Sequence, residues 1–214
     1  MEPKEPGKFL DELIERYPIL ESVKENIWRV YEMMEACYER GGKVLIAGNG
    51  GSSADAEHIV GELMKGFKKS RSVSPEFADR LRKADGERAE ELIQKLQGAL
   101  PAISLSSHPA LCTAYLNDVD GDLILAQQVY GYGKKEDVFL GISTSGNAKN
   151  IMYAVAVAKA KGMKVAALTG KDGGALGRAA DESVIVPEPE TYRIQELHLP
   201  IYHVLCLMLE ERFF

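Results

Sequence analysis

No stretch of this 214-residue chain approaches the roughly 18 consecutive apolar residues that mark a membrane-spanning helix. The opening Met1-Glu2-Pro3-Lys4-Glu5-Pro6 lacks the apolar core of a signal peptide. Cysteine is scarce. Cys37, Cys112 and Cys206 lie far apart with no CxxC spacing, which excludes a disulfide framework and fits buried thiols in a reducing compartment. Basic charge is short too: 26 Lys and Arg face 32 Asp and Glu, for a formal charge of −6. That balance argues against nucleic acid as the main partner. The densest basic stretch, Lys65 to Arg71, reads as a solvated helix end, with phosphate steering as the sharper alternative. Internal repeats and low-complexity tracts are missing as well. Together these absences predict a cytoplasmic protein that neither crosses a membrane nor binds nucleic acid.

What is present is an ordinary globular composition, 45% hydrophobic and 27% charged, long enough to bury a proper core. Residues 8–40 predict a helical region broken or restarted at Pro18. Beyond it Leu20, Val23, Ile27, Val30 and Met34 recur at alternating spacings of three and four, an amphipathic seam. Five apolar runs then predict strands at 43–47, 101–105, 137–142, 163–168 and 182–186. Helix-compatible stretches lie between them at 52–66, 108–116, 122–131 and 147–161, and a last helix spans 192–212. Such alternation implies an α/β fold, a three-layer sandwich around a five-stranded parallel sheet covered on both faces. The division expected is a helical region at 1–40 and an α/β domain at 41–214, with a charged helical insertion at about 70–98. That insertion reads as a surface excursion, and a lid is the alternative.

Chemistry concentrates where strands end. Asn49-Gly50-Gly51-Ser52 follows the first apolar strand and opens a helix, so free backbone N–H groups and the helix dipole suit a phosphate or sugar hydroxyls. Ser143-Thr144-Ser145-Gly146-Asn147 repeats this character after the third strand, and both loops belong at the carboxyl edge where ligands collect. His58 and Glu62, four apart, share one helix face. Asn117-Asp118 reads equally as a turn or as a pair of sugar contacts. Thr169-Gly170-Lys171-Asp172-Gly173-Gly174 reads as a tight turn of undecided role. The last helix carries Arg193, Gln195, Glu196, His198 and His203 among leucines and isoleucines. Buried polar groups need partners, so a polar cavity should meet this helix.

GNGGSSADAEHIVGE, ISTSGN, TGKDGG and RIQELHLPIYH, in this order, resemble the sugar isomerase (SIS) fold of bacterial phosphoheptose isomerases, over roughly residues 20–66 and 100–212. The resemblance implies a flavodoxin-like sheet with the N-terminal and C-terminal helices in the core of a homotetramer. It implies conversion of sedoheptulose 7-phosphate to D-glycero-D-manno-heptose 7-phosphate, the first step of nucleotide-activated heptose biosynthesis. Its acid/base carboxylate falls on Glu62 and the histidine partner on His203. Zinc ligands, where metal is bound, fall on His58, Glu62, Gln195 and His203. Substrate contacts fall on Asn49, Gly50, Gly51, Ser52, Glu62, Asn117, Asp118, Ser143, Thr144, Ser145 and Gln195.

This chain departs from that pattern in two places. Ala148 replaces a usual serine, and Lys65-Gly66 replaces a common Gly-Arg, leaving Lys65 or Lys68 as the candidate phosphate charge. Isomerisation of another sugar phosphate, or a non-catalytic phosphosugar-binding protein like the replication-associated relatives, are the competing readings. Retention of Glu62 and His203 favours the enzyme. In one continuous helix Gln195 and His203 would stand about 12 Å apart along the axis. They can serve one site only from two chains, or if the helix begins after Gln195. That geometry and the Leu20–Met34 seam predict an oligomer with shared sites.

Overall fold

The structure, a computed structural model, describes residues 4–214. Helix α1 (Gly7–Arg16) ends at Tyr17, which sits at φ −131° and ψ 72° ahead of Pro18. A residue preceding proline is driven out of the helical region, which places the break. A 3-10 turn (Pro18–Val23) leads into α2 (Lys24–Glu39). Then follow β1 (Val44–Ala47), α3 (Gly51–Met64), α4 (Pro75–Ala84), α5 (Ala89–Lys95), β2 (Ala102–Ser104), α6 (Pro109–Asp118) and α7 (Ile124–Tyr132). The chain finishes with β3 (Val138–Ile142), α8 (Lys149–Ala160), β4 (Lys164–Thr169), α9 (Gly174–Ala179), β5 (Glu182–Ile185) and α10 (Thr191–Phe213).

All strand pairs are parallel, in the order β2-β1-β3-β4-β5. The order reverses between β1 and β3, and ligands of doubly wound sheets gather outside the strand ends at such a switch point. Alternate residues face opposite layers. Val44, Ile46, Val138, Leu140 and Leu168 pack with α1, α2, α3 and α10, while Leu45, Ala47, Phe139, Val165 and Ala167 pack with α7, α8 and α9. This is the predicted three-layer α/β sandwich. No helix of the described residues is long and apolar enough to cross a membrane.

One part of the assembly argument needs correction, and one alternative within it is removed. Leu20, Val23, Ile27, Val30 and Met34 are at most 7% exposed within the single chain, covered by its own sheet and α10. At roughly 1.5–3 kcal/mol for each large apolar side chain they are committed to this core, and the seam does not call for a second copy. In addition, α10 is one helix from Thr191 through Pro200 to Phe213, so it does not begin after Gln195. Pro200 removes one N–H from the ladder without ending the helix. The uncovered apolar surface lies elsewhere. Helix α6 buries no residue, and Leu111, Leu116 and Val119 are 37%, 64% and 61% exposed. Residues 70–98 form the pair α4–α5, in which only Ala78 and Ala89 are buried.

Candidate active site

The turn after β1 brings Gly50 to φ +55° and places Ser52, nearly fully buried, in the first turn of α3. Asn49 exchanges two amide hydrogen bonds with Asn150 at the start of α8, 3.0 and 2.8 Å, which fixes the β1 loop to the β3 side of the switch point. The β3 loop is held mainly by backbone. Ser143 N–H donates to Leu168 O (3.0 Å), Gly170 N–H to Thr144 O (3.2 Å) and Leu176 N–H to Gly146 O (2.8 Å). Gly146, at φ +64°, lies so close to Gly173 that a Cβ would sit 1.9 Å from its carbonyl oxygen. The TGKDGG turn is therefore the floor on which the β3 loop rests. Ala148 supplies no helix cap. Ser145 Oγ accepts from Asn147 N–H, and Asn147 Oδ1 accepts from Ala175 N–H. A cavity of about 220 Å³ opens beside this cradle, lined by Gly48, Asn49, Gly50, Ser53, Cys112 and Asn150 among others. Gln195 joins the cradle too: a Cβ on residue 51 would lie 2.7 Å from its Nε2, so that amide packs directly against the glycine. Asn117 and Asp118 end α6, exposed and bonded to each other, and neither lines the cavity.

A second polar group forms lower on α3, where it packs against α10. His58 Nε2 lies 3.4 Å from Glu62 Oε1 and 3.5 Å from His203 Nε2. Below them the Tyr202 hydroxyl donates to Asp55 Oδ1 (3.2 Å) and stands 3.0 Å from His58 Nδ1. With its one proton given to Asp55, that hydroxyl is left to accept from His58 Nδ1–H, which turns the Nε2 edge of the ring toward His203 and Glu62. Burial, and then the neighbouring His58, hold the His203 imidazole below its ordinary value. Lys65 Nζ lies 2.9 Å from Glu62 Oε2, whereas Lys68 points away, over the ring of Phe9. His198, wholly buried, belongs to neither group directly; its Nε2 stands 3.1 Å from Thr169 O under the cradle.

The fold thus brings Asn49, Gly50, Gly51, Ser52, Ser143, Thr144, Ser145 and Gln195 to one place and His58, Glu62 and His203 to another. Gly51 and Glu62 are about 16 Å apart along the axis of α3. Gln195 and His203 are separated by two turns of α10. Zinc on all four implied donors of one chain does not fit this arrangement. Glu62 carries the Lys65 ammonium, Gln195 is at Gly51, and no group of three or more His, Cys, Asp or Glu among the described residues is disposed to hold a metal ion. Residues that the sequence reading did not single out include Asn150, Tyr202 and Arg71. For Tyr202 the available signal was its position beside His203.

A family model described as SIS domain matches residues 8–98 and 87–170. The phosphoheptose isomerase of a Nitratiruptor species is 37% identical over 94% of this chain and 96% of its own length. That of Helicobacter pylori is 38% identical over 91% and 88%. This chain belongs to the SIS-domain phosphoheptose isomerases. Solved structures agree with that placement. The phosphoheptose isomerase of Neisseria gonorrhoeae matches with a TM-score of 0.73 and 32% identity, covering 94% of both chains. The enzyme of Francisella tularensis matches at 0.74 and 32%, covering 95% of both. A phosphoheptose isomerase is an aldose-ketose enzyme, so this chain is an isomerase of that type.

Proposed function

We propose that this isomerase converts sedoheptulose 7-phosphate to D-glycero-D-manno-heptose 7-phosphate, the entry to nucleotide-activated heptose, at sites shared between copies of the chain. The observation that carries the reading is the pairing of a hydroxyl-rich cradle with the half-buried group Glu62, His58 and His203. In the reaction Glu62 takes a proton from C1 of the ketose, giving an enediol. His203 moves a proton between the oxygens on C1 and C2, and Glu62 returns its proton to C2. No atom is gained or lost. The cradle holds the phosphate through Ser143, Thr144, Ser145 and backbone N–H groups, and Asn49 and Gln195 address sugar hydroxyls.

Sharing follows from reach. From C2 to the phosphorus of the substrate there are seven bonds, at about 1.2 Å of advance each, or about 8 Å. Gly51, where Gln195 meets the β1 loop, and Glu62 of the same chain are about twice that distance apart along the axis of α3. One substrate therefore meets the cradle of one copy and the acid/base group of another, and the bare apolar surface of α6 supports such contact. A homotetramer is the assembly implied. The four donors attributed to zinc could meet only across the same boundary.

The test is incubation of the purified full-length chain with sedoheptulose 7-phosphate, followed by proton NMR of the aldose product, with and without a chelator. Turnover is expected, and fructose 6-phosphate should be a poor substrate. Binding without turnover in both arms would favour a sensing role instead. A rate that falls with chelator and returns with zinc would establish the metal.

A further inference from the structure

In the sequence Arg71 is one charge in a surface basic run, yet its side chain is wholly buried, and its partner Glu210 is 2% exposed. Nη2 donates to the carbonyl of Glu62 (3.0 Å) and Nη1 to that of Leu63 (2.7 Å). These are among the last carbonyls of α3, which have no partner within their own helix. Nε donates to Glu210 Oε1 (2.8 Å). Glu210 belongs to α10, two turns beyond His203, and also accepts from the backbone N–H groups of Phe67, Lys68 and Lys69 at 2.8 to 3.0 Å. The guanidinium lies 4.7 Å from the ring of Phe214, and Gly98 N–H donates to the Arg71 carbonyl (2.8 Å). Burial opposes ionisation of Glu210, but these donors hold its carboxyl below the usual range.

A buried ion pair is poor evidence of stability, because desolvation offsets most of the attraction. What this one offers is geometry. Lysine would neutralise Glu210 equally well, whereas only a planar fork reaches two successive carbonyls and a carboxylate at once. We infer that Arg71 is a positioning residue: it fixes the end of α3 to α10 and so sets Glu62 against His203. The inference rests on the reading of Glu62 and His203 as the acid/base pair. The segment 70–98 begins at this point. Its stem, closed by the antiparallel bridge Ser72–Gln97 and by Gly66 N–H donating to Gln97 Oε1, encloses Arg71 and ties down the turn after Glu62.

The experiment compares wild type, Glu62→Gln and Arg71→Lys as full-length proteins, by steady-state kinetics per folded molecule and by hydrogen exchange. Arg71→Lys should exchange the amides of residues 62–66 at least ~10-fold faster with those of α2 unchanged. Its kcat should fall at least ~10-fold with KM within ~3-fold of wild type. Unchanged exchange at 62–66, or an unchanged kcat, overturns the inference. A structural role alone would lower the melting temperature and leave kcat per folded molecule intact. If Arg71→Lys does not fold, Phe214→Leu removes the ring under the guanidinium, keeps every hydrogen-bond partner and faces the same two readouts. If wild type fails to turn over the sugar phosphate, or Glu62→Gln stays active, the functional reading fails and the exchange result alone decides the clamp.

Discussion

At the carboxyl ends of β1 and β3 the polar groups are held mainly by main chain, through a ladder of N–H donors and glycines in contact, with Asn49 locked to Asn150 by their side-chain amides. Eleven residues along α3, the group around Glu62 consists of side chains alone, with the His58 side chain 42% exposed. The first arrangement lies within one chain and, on the proposed reading, takes the phosphate. The second has tight support behind it, Asp55, Tyr202 and Arg71, and an open front. A helix pair can aim ionisable groups outward at fixed spacing, but it encloses nothing. Loops at a switch point enclose well but bring few titratable side chains. On the proposed reading, dividing the two tasks in this way brings a second copy into the site.

The contrast breaks most sharply at Glu62. Glu62→Gln removes the base and little volume, so kcat should fall at least ~10²-fold with KM nearly unchanged in steady-state assays. A variant retaining more than a tenth of the rate would mean that the outward group is not catalytic. On the cradle side, Ser145→Asp places a carboxylate where phosphate should sit, while still able to accept from Asn147 N–H. Like-charge contact of this kind costs several kcal/mol, so KM should rise at least ~10-fold with kcat largely kept. An unchanged KM would remove the phosphate from this loop.

A third prediction concerns stability under the cradle. Burial pushes the His198 imidazole down to about 4. Between that value and the ordinary 6.5 the unfolded chain binds a proton that the folded chain refuses, so stability is lost as pH falls through this window. The loss amounts to about 3 kcal/mol in all. His198→Gln keeps a donor for Thr169 O and should flatten the pH dependence of the denaturant midpoint between pH 4 and 6.5. Equal slopes in variant and wild type would contradict a neutral buried imidazole.

The strands, the helices and both loops were legible because their signals are local: apolar runs of four to six residues, turn glycines, and serines opening a helix. The four motifs in register carried the family. What escaped depends on distance. Arg71 reads as one more charge in a basic run until Glu210, far along the chain, folds over it. The Leu20–Met34 seam has the periodicity of an interface, and periodicity does not say which surface will cover it. Gln195 and His203 sit in one motif, yet the pitch of a continuous helix sends them to different sites.

Subunit mixing tests shared sites most directly. Glu62→Gln and Ser145→Asp proteins are dissociated together, reassociated at equal amounts and assayed at a substrate level where each alone is nearly inactive. If the acid/base group of one copy works on the cradle of another, about a quarter of random sites regain wild-type composition, and activity returns. Glu62→Gln mixed with His203→Ala should stay inactive, because those two side chains belong to one group in one chain. A first mixture that remains as inactive as its components, or an active monomer, would contradict the account.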